Sequence, residues 1–463
     1  MSAQSTTRVN GIGRVLTMEI PGTWVAAEPS PEVELFATMP PAENEFTPNI
    51  AVTALPYTGT LADFSRKAMS SLASDLREGR IVNVDEWAQR IAVNDADVVV
   101  EDEYGLPQAA HEGRLIEYTH RNPEGETVYG VDYLYLENGW AIQASTTTSL
   151  PSRIIFDDAF QQIVRSIEVL RSPNRDDVEG RRIEIGSTLD RIATAAEKVE
   201  REELFEELAR SASIGVGIWM TGEALARTSE LQDAVLGRLA AASDPVLAEL
   251  IDLGIVENGR LSALGELISV ALTESVVRVR LTGRFGDGET MLQIFVLGPW
   301  AVVAAEQGYG PRVLNQPWHP DDPARFNVQV LPVTEVTSAM LRWAGAGPAW
   351  NLHLEVPFIP IPLFEERLGG EAPLPEGAGP VTGAVWQNPW FSWGLDVETN
   401  GERVDPIHYV NAGDRGHYRI GLADNPVTGA GEVLLLPTDS GFISRQFEDS
   451  LQAAIFGRPT VLS

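Results

Sequence analysis

The run Val128-Tyr-Gly-Val-Asp-Tyr-Leu-Tyr-Leu136 is followed, after Glu137-Asn138-Gly139, by Trp140-Ala-Ile-Gln-Ala-Ser-Thr146. Both runs are rich in aromatic and β-branched side chains, and an Asn-Gly pair tolerates the positive φ angles that a tight hairpin turn demands. The chain is therefore committed to an antiparallel pair here. Further strand-like runs recur at Met18–Ile20, Trp24–Ala27, Val33–Met39, Asn49–Leu55, Ile81–Gln89, Asp97–Glu103 and Gly113–His120. Two helical patterns accompany them. One runs from Leu61 to about Glu78 with Leu61, Phe64, Met69 and Leu72 on one face; the other follows Pro151 and carries Ile154, Phe156, Phe160, Ile163 and Ile167. Many strands joined by short turns, with few helices, predict an α+β fold in which helices cover antiparallel sheets.

At 463 residues the chain exceeds what one core organises, about 250–300 residues. The turn-rich, charged stretch Arg171-Ser-Pro-Asn-Arg-Asp-Asp-Val-Glu-Gly180 reads as a linker between a domain of residues 1–170 and a second of residues 181–463. The second half opens with helical patterns at Leu189–Ala212, Glu223–Ala242, Pro245–Leu253 and Leu261–Leu272. Ser243 or Asp244 can cap the third of these, Pro245 suits its first turn, and Gly254 ends it. Val276-Val-Arg-Val-Arg-Leu281 then alternates into Gly286-Asp-Gly288 and returns through Met291–Val296, with Trp300–Ala305 as a third strand. Arg325–Leu331 and a helix over Thr334–Trp343 come next, and the end of the chain reads strand His417–Leu422, strand Glu432–Pro437, helix Ser440–Ile455. A strand, strand, helix unit is thus pseudo-repeated. Between the two copies, residues 345–394 contain Pro357, Pro360, Pro362, Pro373, Pro375, Pro380 and Pro389, which predicts an irregular, surface-exposed insertion.

Several chemistries are disfavoured. Lys and Arg total 34 against 66 Asp and Glu, a formal charge of −32, which repels nucleic-acid phosphates and anionic membrane surfaces. The absence of cysteine removes disulfides, thiolate metal sites and cysteine nucleophiles. Gly11-Ile-Gly13 and Gly215-Val-Gly217 lack the third glycine of a dinucleotide fingerprint, and there is no Gly-Lys-Ser/Thr loop. His408 and His417, with Asp405 and Asp414, form the one grouping that resembles a metal site, at a spacing that matches no standard ligand pattern. Asp439-Ser440 sits where a helix cap belongs rather than in a nucleophile elbow, and carboxylate pairs such as Glu101-Asp102 and Glu365-Glu366 are ordinary in so acidic a chain. No cofactor and no catalysis are expected. The opening residues carry no apolar run of signal-peptide length and no run approaches about 18 apolar residues, so the expected location is the cytoplasm, without membrane insertion.

Aromatic residues concentrate in and beside the proline-rich region: Trp343, Trp350, Phe358, Phe364, Trp386, Trp390, Phe391 and Trp393. Either they anchor that segment onto its domain, or Trp343, Trp350, Trp386, Trp390, Phe391 and Trp393 form an exposed apolar groove for another protein.

Two resemblances bear on the choice. Ile20-Pro-Gly-Thr-Trp24, Phe46-Thr-Pro-Asn-Ile-Ala-Val52, the hairpin Tyr133–Ala144 and the helix to Ile167 resemble the Mog1/PsbP-like fold, particularly the LpqN/LpqT group of actinobacterial proteins, over about the first 170 residues. Leu247-Ala-Glu-Leu-Ile-Asp-Leu-Gly-Ile-Val-Glu-Asn-Gly-Arg-Leu261, the strands Val276–Leu281 and Trp300–Ala305, Gly416-His-Tyr-Arg-Ile420 and Val433-Leu-Leu-Leu-Pro-Thr-Asp439 are similar to the EspG family of type VII (ESX) secretion-associated chaperones. The resemblance implies a cytosolic, non-enzymatic chaperone or adaptor that masks the apolar surface of a helical secretion substrate of WXG100 or related type. Alternatives are a general interaction scaffold that uses the Mog1-like sheet, or a lipid or glycolipid carrier.

Overall fold

The predicted reversal at Asn138-Gly139 forms with φ of 51° and 85°, and Glu137 pairs with Trp140 across it. The computed structural model describes residues 6–30, 33–41, 46–75, 79–91, 109–174, 177, 217–231, 244–318, 324–399, 402–403, 406–424, 429 and 431–456. The expected strand Asp97–Glu103 and helix Leu189–Ala212 lie outside them. The chain divides into two compact units, Met1–Leu208 and Ala209–Ser463. Of the expected linker, only 171–174 and 177 are described, and there Arg171 pairs with Asp177 while the Arg171 carbonyl accepts from Trp140 Nε1 at 2.7 Å.

In chain order the first unit contains β1 (Thr6–Asn10), β2 (Leu16–Pro21), β3 (Val25–Ala26), β4 (Leu35–Thr38), β5 (Asn49–Pro56), α1 (Leu61–Asp75), β6 (Arg80–Ile91), β7 (Ala109–Arg121), β8 (Thr127–Glu137), β9 (Trp140–Ser149), α2 (Arg153–Arg165) and β10 (Glu168–Val169). Seven strands form an antiparallel sheet in the order β3-β4-β5-β9-β8-β7-β6, and β1-β2-β10 form a second, smaller sheet. Side chains alternate along each strand, so one face meets α1 through Ile116, Tyr118 and Leu134 packed on Phe64, Ala68 and Met69. The opposite face meets α2, where Phe160 lies edge-on to Trp24 at 5.7 Å. This is the predicted arrangement of helices over antiparallel strands.

The second unit contains β11 (Ile218–Met220), α3 (Gly222–Glu230), α4 (Pro245–Asp252), β12 (Val256–Glu257), β13 (Arg260–Leu261), α5 (Ala263–Glu274), β14 (Val277–Phe285), β15 (Gly288–Leu297), β16 (Trp300–Ala305), α6 (Tyr309–Val313), β17 (Phe326–Pro332) and α7 (Val336–Ala344). These are followed by β18 (Phe358–Pro360), α8 (Ile361–Gly369), α9 (Pro380–Gln387), β19 (Phe391–Thr399), β20 (Glu402–Arg403), β21 (Ile407–Asn411), β22 (His417–Asp424), β23 (Gly431–Thr438) and α10 (Ser440–Phe456). Helix α4 starts as its sequence dictates: the Asp244 carboxylate accepts from Val246 N and Leu247 N, Pro245 follows, and Gly254 turns out at φ 69°.

One eleven-stranded antiparallel sheet spans this unit, in the order β11-β17-β16-β15-β14-β19-β21-β22-β23-β18 with β20 beside β19. The strand, strand, helix repeat is visible as β16-β17-α7 and β22-β23-α10, and it extends further than the sequence indicated. Each half begins with a short edge strand, places helices on one face, lays down a four-stranded meander and ends with a helix. The halves join where β14 pairs antiparallel with β19, from Val277↔Thr399 to Arg284↔Ser392.

The irregular insertion expected over 345–394 is corrected. That region holds β18, α8, α9 and the start of β19, one of the two central strands. Its prolines mark boundaries: Pro360 precedes α8, Pro362 lies in its first turn, Pro380 opens α9 and Pro389 precedes β19. A first-turn proline needs no N–H partner, so these residues start elements rather than preventing them. Glu355 secures α9 by accepting from Thr382 Oγ1 at 2.6 Å and from the backbone N–H groups of Thr382 at 2.7 Å and Val381 at 3.1 Å, and these hydrogen bonds, the hydroxyl's foremost, lower its pKa to about 2.

Candidate functional site

The exposed aromatic surface is also corrected. Five of the six proposed recognition residues, Trp343, Trp386, Trp390, Phe391 and Trp393, are buried, and Trp350 is half-buried. The sheet separates them. Phe391 and Trp393 alternate onto one face, where Trp343 of α7 packs on Phe391 at 5.6 Å and Trp393 stacks on Tyr409 at 4.6 Å beside Phe447 of α10. Trp386 and Trp390 lie on the opposite side, 5.0 Å apart, in the core that α8 and α9 form with Val410, Tyr418 and Leu435. Their indole N–H groups donate to the Ala372 and Val385 carbonyls, and the Arg367 guanidinium lies 4.6 Å over Trp390. These rings anchor the segment, which was the other reading of the same residues.

What the sheet leaves uncovered is its centre. On the face opposite α7 and α10, α3, α4 and α5 cap the first half through Val302, Ala304 and Val328. Helices α8 and α9 cap the second half through Val410, Val433 and Leu435. Between the caps, β14 and β19 present a polar floor. Val277, Val279, Leu281 and Gly283 face the core, while Arg280, Thr282 and Arg284 are exposed and Arg278 is half-buried. Across the ladder, Arg278 lies between Phe295 and Glu398, Arg280 between Gln293 and Asp396, Thr282 between Met291 and Gly394, and Arg284 between Glu289 and Ser392.

Under α8 the floor deepens into a cavity of about 710 Å³. Met291, Phe364, Leu368 and Ile420 supply its apolar lining, and Thr282, Arg284, Glu289, Ser392 and His408 its polar one. Gly394 helps to make this space: a Cβ there would approach His408 Nδ1 to 2.6 Å. Glu306 also borders the cavity, where it accepts from Met291 N at 2.9 Å while burial raises its pKa. A smaller hollow of about 80 Å³ at the other end is lined by Arg278, Arg280, Gln293, Phe295, Asp396 and Glu398.

The charges on this floor are opposed in register without closing into ion pairs. Among the described residues, Arg280, Asp396, Glu398 and Glu289 make no salt bridge within 4.0 Å, and no side-chain hydrogen bond engages Arg280. Arg278 donates to Ser275 Oγ and to the last carbonyls of α5, and Arg284 donates to the Gly286 carbonyl at 3.0 Å. The sequence displayed this floor as the alternation Val-Arg-Val-Arg-Leu in 277–281, but alternation alone does not say that a strand is central or that its polar face lies between two helical walls.

The remaining sequence candidates are not assembled into a site. His408 pairs with Ile420 and His417 with Asn411, so the strand alternation sends the two imidazoles to opposite faces, and His417 is buried against Gly347 at 2.9 Å. Asp439 accepts from Phe442 N at 2.7 Å, as a cap of α10. In the first unit, Arg153 of α2 and Glu117 form a buried pair at 2.6 Å, joined by Tyr129 and Asn83. Asp132 is fully buried and accepts from Tyr118 and Gln143, and burial raises its pKa to about 6. Both groups are buried in the core of the first unit.

No family model matches the chain, and no curated protein matches it. Solved structures similar to it include the cyanobacterial PsbP of Synechocystis, at 14% identity over 36% of this chain and 95% of that one, with a TM-score of 0.26. LpqN of Mycobacterium tuberculosis, described as involved in cell envelope biogenesis, is similar at 13% identity over 37% and 87%, with a TM-score of 0.23. A protein of Bacteroides thetaiotaomicron is similar at 11% identity over 70% and 96%, with a TM-score of 0.22. The neighbours thus include proteins of the PsbP and LpqN kind named above for the N-terminal residues. No described helix is long and apolar enough to cross a membrane.

Proposed function

We propose that this chain is a non-enzymatic adaptor or escort protein of the cytosol whose second unit seats one helix of a client protein in the groove between its two helical caps. The observation that carries this reading is the open centre of the eleven-stranded sheet. On this face both flanks of the sheet carry helical caps, and between them Arg280, Thr282, Arg284, Glu289 and His408 are all exposed. A metabolite site would enclose its polar groups; this floor leaves them facing outward.

The dimensions match a helix. From β15 to β21 the floor spans three strand spacings, about 14 Å, and from Arg278 to Arg284 it runs six residues, about 20 Å. An α-helix is about 10–12 Å across, and about 14 residues of it cover 20 Å. The EspG-like residues of this unit support a client of the type exported by type VII secretion, a helical protein of the WXG100 kind.

Thr282 lies at the middle of the floor and is exposed, so Thr282→Trp fills the groove without disturbing the core. The variant should lose at least about tenfold in affinity for a purified WXG100-type helical protein, with its unfolding midpoint unchanged. Undiminished binding by a correctly folded variant would refute the groove as the client site.

A further inference from the structure

Resting on the reading that the groove holds a helix, we infer that the arginine row of β14 selects a client helix bearing an acidic stripe along the face it presents. In a chain of net charge −32, Arg278, Arg280 and Arg284 form a cationic row on the exposed side of one strand. The row is bracketed by Glu289 on one side and by Asp396 and Glu398 on the other. A helix lying along β14 therefore meets positive charge along its midline and negative charge at both flanks, which favours acidic residues on the contact line and basic residues beside them.

The spacing restricts the pattern further. Arg278 and Arg280 are about 6.8 Å apart along the strand, and Arg280 and Arg284 about 13.6 Å. On a helix, residues n and n+4 are about 6 Å apart on one face, and n+11 returns to that face about 10.5 Å further on. The flexible arginine side chains span the remaining difference of about 3 Å. Arg280 is the most available of the three, because neither a hydrogen bond nor an ion pair holds it among the described residues. A carboxylate arriving opposite it gains a guanidinium partner without breaking an existing one. The flanking carboxylates have a second effect: they repel polyanions without this arrangement, so a bare phosphate backbone is rejected where an acidic stripe flanked by basic residues is accepted.

The test uses the full chain and two labelled, stapled helical peptides that differ only at n, n+4 and n+11, which are Glu in one and Lys in the other. Wild-type protein should bind the Glu peptide at least about tenfold more tightly, and Arg280→Glu should abolish or reverse that order while leaving the unfolding midpoint unchanged. Equal binding of both peptides by wild type, binding of neither, or an order that Arg280→Glu leaves intact, would overturn the inference. The Thr282→Trp variant separates the two levels. If it blocks peptides that wild type does not distinguish, the groove reading stands and the charge reading falls; if it blocks neither peptide, the groove reading falls as well.

Discussion

Replacing Trp390 with alanine distinguishes a ring that holds the second unit together from one kept at the surface for a partner. The indole is 3% exposed, packs on Trp386 and Phe364, lies beneath the Arg367 guanidinium and donates Nε1–H to the Val385 carbonyl. A buried aromatic side chain removes about 150–250 Å² from water, about 4–6 kcal/mol at about 25 cal/mol per Å². Alanine retains a minor part of this. The orphaned Val385 carbonyl and the lost cation–π contact each cost about 1 kcal/mol more. Relaxation of the cavity returns some of the total, and truncations of this type settle at about 3–5 kcal/mol. We therefore expect a loss of about 4 kcal/mol and a Tm lowered by about 10 °C for a unit of this size. Guanidinium unfolding of the full chain, followed by near-ultraviolet circular dichroism, measures it. A loss below about 1 kcal/mol in the transition of the second unit would refute the assignment of this ring to the core.

Two further outcomes concern the first unit. The Asp132 pKa is raised from 3.8 to about 6 in the folded state, so its protonated form contributes stability below pH 3.8 that is lost as the pH rises through 6. Asp132→Asn should accordingly stabilise this unit by about 3 kcal/mol at pH 8 and by little at pH 4, as read from thermal unfolding at both pH values. Glu117→Ala strips the buried Arg153 of its closest carboxylate and should cost about 3–5 kcal/mol, whereas joint replacement of Glu117 by Leu and Arg153 by Met should cost much less. Equal losses in the two variants would show that the charge pair is not what the single substitution exposes.

Much of the fold could be read from short-range patterns. The Asn138-Gly139 hairpin, the Asp244-Pro245 helix start and the alternation in β14 each depend on a few neighbouring residues, and all three form as their chemistry dictates. The proline-rich region reads as irregular although it holds β18, α8 and α9, because a proline that opens a helix and one that breaks it look alike until the next turn is placed. Of the two readings of its tryptophans, the anchoring one holds: a loop would offer Trp386 and Trp390 no core to enter, but α8 and α9 supply one. The groove depends on the pairing of β14 with β19 across more than a hundred residues, and nothing local in either strand announces that partner.

The groove itself is tested most directly by placing a photo-crosslinking amino acid at position 282 and, as a control, at Leu436, which is exposed on the opposite face of the sheet. With a WXG100-type helical protein as the probe, crosslinks should form from position 282, map to one helix of the client and be absent from position 436. Crosslinking from 436 alone, or equally from both positions, would contradict the account.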